Sequence, residues 1–171
     1  YAGNFSPNSR SLLTTNNEHS AISIKVYDIE SGSERPVELP PGLSYNADWL
    51  SDDHFSLNIM TDTTRPELRD YHLADGKSGV LLEAEYGSID KSLFVPLEYV
   101  SYPSTDGLRI HAMLYRPRNM EAGKKYPALV EIHGGPTGQF FRGFNPFTQF
   151  LADAGYIIIQ PNVRGSTGYG V

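Results

Sequence analysis

The strongest constraint on this chain is that its first half repeats itself 44 residues later. Phe5-Ser6-Pro7-Asn8 aligns with Trp49-Leu50-Ser51-Asp52, Tyr27 with Tyr71, and Gly32 with Gly76. Each copy reads as an aromatic, a polar turn, an alternating strand, a second strand ending near Tyr, and an acidic turn carrying Gly. The predicted strands are 11–15 and 21–29 in the first copy, and 55–61 and 68–73 in the second. Ile22-Ser23-Ile24-Lys25-Val26 alternates apolar and polar residues with the period of a half-buried strand. Glu30-Ser31-Gly32 and Ala74-Asp75-Gly76 carry residues that tolerate tight hairpin turns. A period of about 40–50 residues with about four strands in each copy is the pattern of β-propeller blades. A coincidental pair of β-meander hairpins is the alternative. Two blades cannot close a ring, which takes about 4–8.

Charge marks where this pattern ends. Residues 1–97 hold 7 basic and 15 acidic side chains, whereas residues 98–171 hold 7 and 5. A sign change of this kind separates two structural units, with the seam near Pro96. We therefore assign 1–97 to the last blades of a propeller plus a linker, and 98–171 to a second unit.

The second unit alternates strands with a helix. Strands are expected at 98–101 and 108–116, around the Thr105-Asp106-Gly107 turn, and the apolar stretch 126–133 reads as a strand covered on both faces. Asn145-Pro146 provides an N-cap and a proline at the first helical position. Phe147, Phe150, Leu151 and Ala154 then recur with helical spacing up to Gly155. A further apolar strand, 156–160, leads into a Gly-rich loop at 162–170. Strand, crossover helix and strand together form a βαβ unit, the signature of a parallel α/β sheet.

His133-Gly134-Gly135-Pro136 follows the apolar strand directly. Two glycines there let the backbone turn sharply and leave N–H groups facing a cleft, as stabilisation of a tetrahedral oxyanion requires. Hydrolases of the α/β class place such a loop after their third strand. A plain Gly-rich connection between strand and helix is the alternative. Phe140, Phe141 and Phe144, just beyond the loop, are candidates either for lining a substrate cleft or for core packing.

A series of motifs then occurs in order: Asp106-Gly107, Leu114-Tyr115-Arg116-Pro117, Tyr126-Pro127, His133-Gly134-Gly135-Pro136, Gly155-Tyr156 and Pro161-Asn162-Val163-Arg164-Gly165-Ser166-Thr167-Gly168-Tyr169-Gly170. This series resembles the start of the catalytic domain of the prolyl oligopeptidase family of serine peptidases, nearest its acylaminoacyl-peptidase branch. The resemblance is strong over 98–171 and only architectural over 1–97. It implies a β-propeller joined to an α/β-hydrolase domain, both incomplete in this chain, and a peptide substrate attacked through an acyl-enzyme. It also implies that the Gly135 backbone N–H is one oxyanion-hole donor, that His133, Gly134 and Pro136 shape the loop, and that 162–170 supports it. On this reading His133 is not the catalytic base, and Arg164 is structural and ion-paired.

The family's nucleophile sits in G-x-S-x-G, and none of the 171 residues forms that motif. Ser166 is flanked by Gly165 and Gly168, the wrong frame for a nucleophile elbow. The acid and base follow the nucleophile in such enzymes, so Tyr1 and Val171 read as cuts in a longer chain, and the 171 residues alone are expected to be inactive. An α/β-hydrolase esterase and a non-catalytic propeller-type interaction module are the rival readings.

Composition removes other classes. No cysteine means no disulfide, thiolate zinc site or cysteine nucleophile. His19, His54, His72 and His111 lack metal-site spacing along the chain, and no phosphate loop is present, so neither metal nor cofactor is expected. A net charge of −6 argues against nucleic acid, and the apolar runs fall far short of the ~20 residues that span a bilayer. The expected partners are a peptide substrate and the remainder of the same chain, with a homo-oligomer compatible. The expected location is the cytoplasm. Secretion stays open, and Asn4-Phe5-Ser6 would then be a glycosylation sequon.

Overall fold

A computed structural model of the chain describes residues 2–135 and 137–169. The first half forms β1 (Ala2–Phe5), β2 (Ser11–Glu18), β3 (Ala21–Asp28), β4 (Glu34–Pro36), β5 (Leu43–Trp49), β6 (His54–Met60), β7 (Glu67–His72) and β8 (Ser78–Leu82). These are two antiparallel four-stranded meanders, β1–β4 and β5–β8. A single parallel register pair, Ile22 with Leu43, joins them into one sheet. Gly42 sits at that join, where a Cβ would lie 2.2 Å from the Met60 carbonyl oxygen, so no side chain fits.

The 44-residue period recurs in three dimensions. Gly32 and Gly76 both have positive φ (71° and 68°), and both donate to the carbonyl four residues earlier, at 2.9 and 3.0 Å. Equivalent positions of the two copies also touch. Asn4 Nδ2 donates to Asp48 Oδ1 at 3.1 Å, and the Asn8 N–H donates to Asp52 Oδ1 at 2.8 Å. Strand β6 buries every second residue, and Phe55 and Leu57 meet Leu13, Ile24, Val26 and Tyr71 in the first core.

The second half begins after a 3-10 turn at Lys91–Leu93 and contains β9 (Leu97–Pro103), β10 (Arg109–Tyr115), β11 (Ala128–Val130), α1 (Pro146–Asp153) and β12 (Ile157–Asn162). The spatial order is β11-β12-β10-β9, with β11 and β12 parallel and the other pairs antiparallel. Asn145 caps α1, its Oδ1 accepting from the N–H groups of Phe147 and Thr148. Val95, Met113, Tyr115, Ala152 and Ile158 form the second core.

Two sequence patterns read differently in the structure. The apolar spacing that marks the helix does not mark its buried face: Phe147 and Phe150 are 57% and 65% exposed, and the helix buries Thr148, Gln149 and Ala152. The polar residues go inward because each finds partners. Gln149 Oε1 accepts from the Val95 N–H at 2.8 Å, its Nε2 donates to the carbonyls of Val95 and Asp62, and Thr148 Oγ1 accepts from Gln160. Strand β11 is also shorter than 126–133 and is not covered on both faces. It lies at the sheet edge with Val130 and Ile132 62% and 58% exposed, since no described element packs over them.

The two sheets meet through a polar junction. Ser20, in the β2–β3 turn, contacts Tyr169 Oη at 2.5 Å, accepts from Asn162 Nδ2 at 2.9 Å, and receives the Arg142 N–H on its carbonyl. The His111 ring stacks between Tyr99 and Tyr169, with centroids 5.3 and 5.2 Å away, and the Arg142 guanidinium covers the Tyr99 face. Burial, followed by the nearby charges of His19 and Arg109, pushes His111 below its ordinary 6.5. Well above pH 6.5 the ring is neutral in both the folded and the unfolded chain. Below about 6.5 the unfolded chain takes up the proton first, so stability falls with acidification. The expected result is a larger loss of urea midpoint between pH 7.5 and 5.5 for the wild type than for His111→Phe. Equal losses would remove His111 from the pH response.

Candidate active site

The loop after β11 is held by the loop after β12. His133 Nε2 lies 2.7 Å from Ser166 Oγ, and the His133 ring meets Phe140 edge-on at 5.5 Å. The Thr167 N–H points at the carbonyls of Thr137 and Gly138, 3.2 Å from each. Asn162 clamps Phe140 from both sides, accepting its N–H at 2.7 Å and donating to its carbonyl at 3.1 Å. The two glycine-rich motifs, 133–138 and 162–169, therefore form one interlocked unit.

Within it, Gly135 adopts φ +78°, a conformation that costs other L-residues about 1–2 kcal/mol. Among the described residues nothing accepts the Gly135 N–H, and no atom lies within 4 Å of where its Cβ would stand. The same openness surrounds Gly134. Both glycines are exposed, on a loop fixed from below by the stretch 162–169. Pro136 lies outside the described residues.

Ser166 and His133 have the separation of a nucleophile and its base, but the surroundings do not fit those roles. Ser166 is buried, its hydroxyl also bonds the Val163 carbonyl at 2.7 Å, and His133 Nδ1 faces the Gly134 carbonyl where an orienting carboxylate would be needed. The pair acts as a clasp. Arg164 pairs with Asp106, and the Leu108 N–H followed by this guanidinium holds the Asp106 carboxyl below its usual range.

The three phenylalanines diverge. Phe140 packs against the second core, and Phe141 lines a recess of about 410 Å³ facing Asn16, Asn17 and Ile22 of the first sheet. Phe144 stacks edge-on with Phe94 in a separate apolar recess of about 430 Å³ that also contains Tyr86 and Phe150. Phe141 shares its recess with Thr167 and Gly168 of the motif loops.

One member of the site, Gly138, is not singled out by the sequence reading. A Cβ on Gly138 would lie 2.8 Å from the Gly134 carbonyl oxygen, so this glycine fixes the shape of the loop. Its signal was present, as the third glycine within six residues of His133. Asn162 falls in the supporting stretch 162–170, but its contacts with Phe140, Ser20 and Tyr169 are not legible there, because these partners come from three separate places in the chain.

No family model matches the chain. Over 95 residues it is 40% identical to dipeptidyl-peptidase 5 of Schizosaccharomyces pombe, an alignment covering 53% of this chain and 13% of that protein. Among solved structures, an acylaminoacyl peptidase of Pyrococcus horikoshii superposes with a TM-score of 0.75 at 27% identity, over 94% of this chain and 24% of its own. A prolyl endopeptidase superposes with a TM-score of 0.83 at 20% identity, over 99% of this chain and 25% of its own. The chain therefore spans a small part of each relative's length. With relatives of these kinds and the ordered motifs at 106–107, 133–136 and 161–170, the chain is similar to members of the prolyl oligopeptidase family of serine peptidases.

Proposed function

We propose that the protein hydrolyses short peptides or acyl-peptides through an acyl-enzyme, and that these residues supply its oxyanion loop. On this reading 1–97 are the closing blades of a β-propeller with a linker, and 98–171 open the α/β-hydrolase domain. The strand order β11-β12-β10-β9 and the two four-stranded meanders support that division. The observation that carries the function is the Gly135 N–H, without an acceptor among the described residues, on a loop clasped by His133 and Ser166. In the transition state that N–H donates to the developing oxyanion. His133 acts only by holding the loop, and Ser166 by holding His133. The nucleophile, the acid and the base are not among the 171 residues, which are inactive alone.

The test compares the full-length protein on acyl-peptide anilides and on short-chain acyl esters. We expect kcat/KM to be higher for the peptides, and a serine acyl-enzyme to be trapped by mass spectrometry. Preference for the esters would favour the esterase reading. Failure to turn over either class would make the protein an interaction module.

A further inference from the structure

Away from the loop, the hairpin β6–β7 gathers His54, Asp70 and His72 on one face. His54 and His72 are direct cross-strand partners with ring centroids 4.0 Å apart. Asp70 precedes His72 by two residues and therefore shares its face. One ligand atom from each of the three lies within 4.8 Å of the other two. Asp70 Oδ2 is 3.0 Å from His72 Nε2, close to the separation of neighbouring ligands around an ion bound at about 2.0–2.2 Å.

We infer that this face binds one first-row divalent cation of the zinc type through His54, His72 and Asp70. Two neutral imidazoles and a carboxylate form a donor set that suits such an ion, with water completing the coordination. An outer shell is already in place. Asp70 Oδ1 accepts the Gly79 N–H at 3.0 Å, which leaves Oδ2 for the ion. His54 Nδ1 faces Ser51 Oγ at 3.3 Å and Asp53 Oδ1 at 3.6 Å, the polar backing that orients an imidazole ligand. The side chain of His72 is 45% exposed, so the ion has a path from solvent.

The internal repeat gives a second, independent reason. Residues 44 positions earlier are Arg10, Val26 and Asp28, so the first copy keeps the turn and its Gly–Tyr pairing but has neither histidine, and its one carboxylate, Asp28, is bonded to Ser31. The ligand set is thus not a requirement of the hairpin. Spacing along the chain hid it, because the two histidines become neighbours only through strand pairing. An ion there would tie β6 to β7 and stabilise the fold without entering the peptidase chemistry.

The test is titration of chelator-stripped full-length protein with Zn²⁺ by calorimetry, alongside thermal unfolding. One equivalent is expected to bind and to raise the Tm. His54→Ala and His72→Ala should each weaken binding on the order of tenfold or more, while His19→Ala, outside the cluster, leaves it unchanged. In excess chelator the variants should melt with the wild type. Asp70→Asn, which keeps the oxygen that receives the Gly79 N–H, carries the test if a histidine variant does not fold. Absence of binding at millimolar Zn²⁺, or binding untouched by these substitutions, overturns the site.

Discussion

Gly135→Pro in the full-length protein is expected to lower kcat by about 10²–10³-fold while KM changes little, the usual consequence of losing one oxyanion donor. Proline removes the N–H outright and cannot reach φ +78°. Ground-state binding relies on other contacts, so the loss belongs to the transition state. Gly135→Ala separates donor from shape, since alanine keeps the N–H and has open space for its Cβ, at a backbone cost of about 1–2 kcal/mol. It should fall between wild type and Gly135→Pro. Gly138→Ala acts differently, by pressing a Cβ against the Gly134 carbonyl, and should lower kcat without removing any donor. A proline variant turning over within threefold of wild type would end the oxyanion assignment. An alanine variant as impaired as the proline one would assign the effect to loop shape.

Local chemistry was legible in the sequence, and contact between distant segments was not. The period was readable because the turns at Gly32 and Gly76 require positive φ, and few residues other than glycine accept it cheaply. Strand β5 was not readable. Asn46 takes φ +51° inside it and the register slips between Tyr45 and Asp48, so alternation is broken. Strand β8 is an edge strand with Val80, Leu81 and Leu82 exposed, and it shows no alternating burial. The helix at 146–153 is legible from its cap, but apolar spacing alone does not identify its buried face. Apolar spacing favoured Phe147 and Phe150, while hydrogen-bond partners for Gln149 and Thr148 decided the outcome. Motif order points to the loop at 133–136. The clasp that holds it joins residues 33 positions apart, and no local pattern announces it.

Asn162→Leu is expected to destabilise the protein by about 2–4 kcal/mol, on the order of a hundredfold in the folding equilibrium, because it strands several buried polar groups at once. Asn162 is buried where the end of β12, the loop at Phe140 and the β2–β3 turn converge. Its Oδ1 is the acceptor for the Phe140 N–H at 2.7 Å, and its Nδ2 faces the Phe140 carbonyl, Ser20 Oγ and Tyr169 Oη at 3.1, 2.9 and 2.8 Å. Leucine has the same branched outline with somewhat bulkier ends, so it leaves no cavity and the cost comes chiefly from unpaired groups. Asn162→Asp keeps the acceptor for Phe140 but loses the donors and buries a charge against two hydroxyls, so it should recover little of the loss. Because the same side chain fixes Phe140, whose ring packs on His133, turnover should fall with stability. Ser166→Ala, which cuts only the clasp to His133, should lower turnover with a smaller loss of stability. Denaturant midpoints and kcat measured on both variants separate the two contributions. A shift for Asn162→Leu below about 1 kcal/mol, a typical net value for one hydrogen bond, would mean that the junction does not depend on this residue.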